Sequence, residues 1–219
     1  SIFSDPGSGQ GVEVTWTMES SLPFFLFFLT RMMSAMIGRD YERGLAMLKD
    51  FVETGSVPSK LEFPGRKSFP GFRFVGTRVS AQIADIGPSM EATFGKLETW
   101  LKESGTIPVG PPFSMVHKWD LVQGVTEYTA GFPVDQETGA GNLPEGLLFG
   151  SIPACETEIV RHTGPYRHLA NAWSAVMARA KGFKWRTNRA VDPFEVYENR
   201  KGEVPDEKLV TVIHLPVKS

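Results

Sequence analysis

The stretch PPFSMVHKW (Pro111 to Trp119) returns later in the chain as DPFEVYENR (Asp192 to Arg200), and this recurrence decides how the rest is read. In both copies a Pro-Phe pair opens a run of alternating apolar and polar residues, the period of a half-buried strand. The recurrence extends outward. Upstream, FVGTRVSAQI (Phe74 to Ile83) and CETEIVRH (Cys155 to His162) are alternating strands, each followed by a Gly-Pro pair, at 87–88 and 164–165. Proline suits a helix's first turn, where its missing N–H would have had no partner anyway. The first helix is predicted to run to about Glu103, with Phe94, Leu97 and Leu101 on one face. The second is predicted to run to about Lys181, with Leu169, Trp173, Val176, Met177 and Ala180 on one face. Downstream, GFPV (Gly131 to Val134) matches HLPV (His214 to Val217). The Gly-Pro, Pro-Phe and Pro-Val pairs are offset by 77, 81 and 83 residues. Each copy reads strand, helix, strand, strand. Two βαββ units predict an α+β fold with helices on one side of antiparallel sheets. Between the units runs DQETGAGNLPEGLLFG, a Gly-rich connection; its GAG lacks a following Lys-Ser/Thr, which argues against a phosphate loop.

Working back toward the N-terminus, KLEFPGRKSFPG contains Phe-Pro-Gly twice, the chemistry of turns. It divides the chain into residues 1–55, a linker at 56–70 and the repeats at 71–219. In the first part, Val12, Val14, Trp16 and Met18 alternate as in a strand. A long helix is then predicted from Leu22 to about Thr54. Its Tyr41, Leu45, Leu48 and Val52 form one stripe facing a core, but around Phe24, Phe25, Phe27, Phe28, Met32 and Met33 it is apolar on all sides. Such a helix must be covered on more than one side. The rest of the chain, a missing segment, or a second copy joining as a homo-oligomer through Phe24–Met33 would do so. Leu22–Leu29 is too short to span a membrane. TWTMES (Thr15 to Ser20) and GRDYERGLAMLKDFVE (Gly38 to Glu53) resemble the last strand and helix of a polyketide-cyclase/START-like domain. Most of that domain's sheet is missing, so its ligand cavity is not carried over.

The balance of 23 basic and 25 acidic residues among 219 gives a net charge of −2, with no electrostatic footprint for direct nucleic-acid binding. The basic run Arg179, Lys181, Lys184, Arg186 and Arg189 reads as a solvated helix end. One cysteine, Cys155, excludes an internal disulfide and fits a reducing, cytoplasmic setting. His117, His162, His168 and His214 show no metal-ligand spacing, so neither a metal nor another cofactor is expected. Cys155 and His162 point to opposite faces of one strand, which argues against a Cys–His nucleophilic pair.

In FEVY (Phe194 to Tyr197), alternation puts Phe194 and Val196 on one face and Glu195 and Tyr197 on the other. If the first pair faces the helices, the second lines a groove. The first copy has Ser114 where the second has Glu195, and Val116 where it has Tyr197. One carboxylate on one side of a pseudo-symmetric pair suits a ligand with one positive charge. From the pattern alone, Glu195 could equally be a solvated strand residue.

The duplicated pattern, GPYRHLANAW, DPFEVYEN and VTVIHLPVK together resemble the GyrI-like small-molecule-binding domain. This is the effector-binding domain also found in AraC-type and MerR-type transcription activators. The likeness runs from about Gly71 to Lys218. It implies the duplicated βαββ fold shared with the SOUL haem-binding family, and apolar, often cationic ligands held in a groove between the repeats. It places Glu195 where that family meets the cation, with Tyr197, Tyr166 and Trp119 as further candidate wall residues. Trp173, in its helix's apolar stripe, reads as core. Some members are hydrolases that open strained rings of cyclopropane-bearing natural products. Two functional readings follow: a stand-alone sensor or sequestering protein for small molecules, and an enzyme in which Glu195 activates water against an electrophile. A docking role for the Phe-rich helix is compatible with both.

Overall fold

The computed structural model describes residues 2–4, 13–17, 19, 30–135 and 143–218. It divides into two compact units, Ser1–Val57 and Pro58–Ser219. In the first, β1 (Ile2–Ser4) and β2 (Glu13–Thr15) form an antiparallel ribbon, followed by α1 (Thr30–Thr54). Residues 22–29, the most apolar part of the expected helix, and Val12 and Met18 of the expected strand lie outside the described residues. The Trp16 ring meets Tyr41 edge-on at 5.6 Å and packs on Gly44. Val52, expected in the buried stripe, is 74% exposed, while Asp50 is buried.

The second unit is one eight-stranded antiparallel sheet with two helices. Its strands are β3 (Lys60–Phe69), β4 (Phe72–Gln82), β5 (Phe113–Asp120), β6 (Val125–Val134), β7 (Leu148–Ile152), β8 (Cys155–Thr163), β9 (Phe194–Tyr197) and β10 (Val210–Val217). The helices are α2 (Ile86–Ser104) and α3 (Leu169–Gly182). Across the sheet the order is β3-β8-β10-β9-β5-β6-β4-β7. The order is symmetric about the β9/β5 junction, as the sequence repeat requires. Register confirms it: Ile213 pairs with Val160 in one half and Ala130 with Thr77 in the other, each residue 83 positions from its counterpart.

Each unit carries one strand more than the βαββ reading. Residues 60–69, expected as part of the linker, form β3, and the end of the Gly-rich connection forms β7. Both extra strands cross over. β3 leads into β4 but pairs with β8, and β7 leads into β8 but pairs with β4. The exchange ties the halves together beyond the short β5–β9 seam, which has only three paired positions.

Each helix seals its own half. Leu97 and Leu101 of α2 pack on Val75, Phe132 and Val134, and Ala172 and Val176 of α3 on Val160, Ile213 and Leu215. Burying one such leucine or isoleucine stabilises by about 2 kcal/mol. Met177, expected in the α3 stripe, is exposed, and Ala172 takes the buried position. The opposite face of the sheet has its own core of Phe74, Phe113, Ile152, Val191 and Phe194. α2 lies against β4 and β6, and α3 against β8 and β10, so the central strands β5 and β9 fall between the helices. Among the described residues no helix is long and apolar enough to cross a membrane.

Candidate functional site

β9 is a four-residue strand opened by Pro193, whose fixed φ starts the chain in extended geometry. It meets β5 through a matched pair of bonds. Val116 N–H donates to Pro193 O at 3.0 Å, and Tyr197 N–H donates to Pro112 O at 2.9 Å. Between them Ser114 stands directly opposite Glu195. The two positions that correspond in the repeat are therefore neighbours in space, at the junction of the halves.

Glu195 and Tyr197 point to the helix face, and Phe194 joins the core on the other side. This reverses the facing on which the groove reading rested, and it brings Glu195 under α3. Glu195 Oε1 accepts from Trp173 Nε1–H of that helix. Oε2 accepts from the Tyr197 hydroxyl at 2.5 Å and from Ser114 Oγ at 3.3 Å. Ser114 Oγ and the Tyr197 hydroxyl lie 2.9 Å apart. Glu195 is 7% exposed. Burial raises its carboxyl above the usual range, and the Tyr197, Trp173 and Ser114 donors, which hold the ionised form, pull it part of the way back. All three donors are neutral. Among the described residues, no ion pair joins Glu195 to a basic side chain.

Aromatic rings surround this carboxylate. Tyr166, in the turn entering α3, meets Tyr197 edge-on at 5.8 Å and is 37% exposed. Burial, then the Glu195 charge, pushes its hydroxyl up to about 12. Phe94 of α2 meets Tyr197 from the other side at 5.9 Å and continues to Phe132 at 5.7 Å. Glu195, Tyr197 and Tyr166 thus come together. Trp119 lies five residues along β5 from Ser114, roughly 16 Å of strand. Two partners escaped the sequence reading. Trp173 sits in an apolar stripe, where nothing local signals that its N–H is aimed at a carboxylate. Ser114 was matched to Glu195 by the repeat, but their contact depends on β5 pairing with β9.

The histidines' neighbours lie elsewhere. His162 Nε2 and Ser59 Oγ are 3.1 Å apart, and Asn171 donates to the same hydroxyl at 3.1 Å. His117, at a bulge in β5, lies 2.7 Å from both Asp192 Oδ2 and Thr129 Oγ1. Cys155 packs beside the Phe194 core while His162 faces α3, on opposite sides of β8. Among the described residues no three His, Cys, Asp or Glu side chains gather as a metal site.

Glu195 is thus a buried carboxylate among aromatic rings at the seam between the duplicated halves. Residues 67–218 match the family described as GyrI-like small molecule binding domain. The chain belongs to this GyrI-like family. Its match begins at Lys67, in the last three residues of β3. No curated protein matches the sequence. Among solved structures, SAV2435 bound to tetraphenylphosphonium is similar at a TM-score of 0.55 and 12% identity, over 72% of this chain and 94% of that one. The EcmrR C-terminal domain is similar at 0.56 and 19%, over 73% and 98%. EcmrR in its DNA complex matches at 0.61 and 18%, over 89% of this chain and 69% of that one. At these identities the likeness is one of fold. The GyrI-like domain is a small-molecule-binding domain, and Glu195 is its most distinctive polar feature.

Proposed function

We propose that this GyrI-like domain binds apolar, singly cationic small molecules in a groove between its two halves, as a cytoplasmic sensor or sequestering protein. One observation carries the reading: Glu195 is a buried carboxylate held by three neutral donors, with no basic side chain paired to it among the described residues. Such a charge is costly to bury uncompensated. A bound cation supplies the missing counter-charge, and the rings of Tyr166, Tyr197 and Phe94 add attraction of about 0.5–2 kcal/mol. The bound tetraphenylphosphonium in SAV2435 makes that ion the natural probe. A second copy would join through Phe24–Met33, of which Met32, at the start of α1, is exposed.

The test is calorimetric titration with tetraphenylphosphonium. Glu195→Gln should weaken binding at least tenfold, about 1.4 kcal/mol, and spare neutral aromatic ligands. Because burial raises the carboxyl pKa, affinity for the cation should rise with pH until the group is fully ionised, then level off. Equal affinity in the variant would sink the proposal. The same raised carboxyl favours a second reading, in which Glu195 takes a proton from water that opens a strained, electrophilic ring. In that case Glu195→Gln abolishes turnover of a cyclopropane-bearing electrophile while leaving its binding largely intact.

A further inference from the structure

Three residues beyond β9, Arg200 reaches back over the helix face. Its Nη1 donates to Glu98 of α2, and its Nε donates to Glu203 Oε1 at 2.9 Å. Its backbone N–H donates to the other oxygen of Glu203, also at 2.9 Å. The guanidinium carbon lies 6.0 Å from the centre of the Phe132 ring. Phe132 meets Phe94, Phe94 meets Tyr197, and Tyr197 donates to Glu195. A resident cation therefore stands at one end of the row of rings that leads to the carboxylate. Tyr166, at the other side of Tyr197, feels both groups: the Glu195 and Glu203 charges raise its hydroxyl pKa and the Arg200 charge lowers it. Side chains of Glu98, Arg200 and Glu203 are between 37% and 48% exposed, so the trio sits at a solvent-exposed rim.

We propose that Arg200, latched to Glu98 and Glu203, is the charge selector of the Glu195 site, opposing entry of cations and lending affinity to anionic aromatic molecules of the same shape. This rests on the ligand-binding reading above. Arg200 over Phe132 makes the kind of cation–π contact that a cationic ligand would make further along the same row of rings. Its removal leaves Glu98 and Glu203 without their shared counter-charge and makes the rim more negative by one unit. A partly exposed unit charge acting over about one Debye length, ~10 Å, alters affinity by up to about fivefold.

The experiment compares two probes of one shape and opposite charge, tetraphenylphosphonium and tetraphenylborate, on the full chain. Arg200→Gln should tighten the phosphonium about fivefold and weaken the borate about as much. Glu98→Gln, which removes one acid and keeps the arginine, should shift both in the opposite direction, and added salt should shrink both effects. A packing role for Arg200 would move the two probes together, and that outcome overturns the proposal. So does an unchanged phosphonium-to-borate ratio in both variants. If Glu195→Gln weakens the phosphonium while Arg200→Gln leaves the ratio alone, only the selector fails. If the phosphonium binds none of the proteins, the site reading falls and takes the selector with it.

Discussion

Before β4 the chain turns through Phe69-Pro70-Gly71, and before β8 through Ile152-Pro153-Ala154, at the same offset of 83 residues that superimposes the strands. Both turns carry the chain from one edge strand to the strand at the other side, yet they tolerate different residues. Gly71 has φ +76°, and a Cβ there would come within 2.6 Å of Ile152 O and 2.7 Å of Ala154 N, both backbone atoms. The two corners therefore press on each other, and only one of them can carry a side chain. Ala154 is exposed and shows no positive φ. A symmetric backbone plan has been filled asymmetrically because its two copies touch.

Swapping the two residues is the harshest way to break this comparison. Gly71→Ala combines a left-handed backbone with a clash against atoms that cannot rotate away, and should destabilise by about 4 kcal/mol. Ala154→Gly should cost under about 1 kcal/mol, through unfolded-chain entropy alone. Urea unfolding of the two variants would show it, and equal midpoints would mean that the corners do not meet.

The halves also differ in the polar groups they bury. In the first, the Tyr128 hydroxyl lies 2.6 Å from Ser89 Oγ, a contact without charge. In the second, His162 and His214 stand where the first has Val79 and Gly131. Burial pushes both imidazoles down to about 4; for His162 the neighbouring His168 adds to it. His214 is stacked on Phe194 at 4.6 Å and lies 3.1 Å from Thr157 Oγ1. An unfolded histidine titrates near 6.5, so the unfolded chain takes up protons first as pH falls. The stability these rings contribute is present in full above about pH 6.5 and is lost progressively toward pH 4. The loss is at most about 3 kcal/mol per ring. Urea midpoints measured from pH 7.5 to 4.5 should fall, and the fall should flatten in a His162→Gln/His214→Gln double variant. An unchanged slope would show that the carboxylates, not these histidines, control acid lability.

Much of this was legible in the sequence, because a repeat reports backbone plan through the spacing of Gly-Pro and Pro-Phe pairs even where side chains diverge. β4, β5, β6, β8, β9, β10 and both sheet-packed helices follow from it. β3 does not. Pro64 and Gly65 interrupt its pattern, and both are tolerated only because it is an edge strand with a bulge between Glu62 and Gly65. The site was half visible. Glu195 stands out because its counterpart is Ser114, and Tyr197 follows from alternation. The donors Trp173 and Ser114 required tertiary knowledge, one because an indole N–H is silent in an apolar stripe, the other because strand order is not written in local text. The facing of Glu195 was open for the same reason, since alternation separates two faces without saying which one the helices cover.

The mildest difference between the halves is at the helix ends. α2 closes with Gly105 in the left-handed region at φ 68°, its N–H toward Lys102 O at 3.4 Å and Thr106 N–H on Leu101 O at 3.0 Å. α3 closes with the same pattern around Lys184, its N–H on Lys181 O at 3.2 Å and Trp185 N–H on Ala180 O at 2.9 Å. Lys184 has φ 53° and is the one non-glycine residue with positive φ among the described residues. A side chain in that conformation costs about 1 kcal/mol relative to glycine, although glycine returns part of the gain as unfolded-chain entropy. Lys184→Gly should therefore stabilise by about 0.5 kcal/mol and raise the thermal midpoint by roughly 1–2 °C. Gly105→Lys should lower it by a similar amount. If Lys184→Gly instead lowers the midpoint, the lysine is held there by more than backbone geometry. The exposed Phe183 and the stacked Trp185, with Arg179 lying over both rings, would then be the contacts to dissect next.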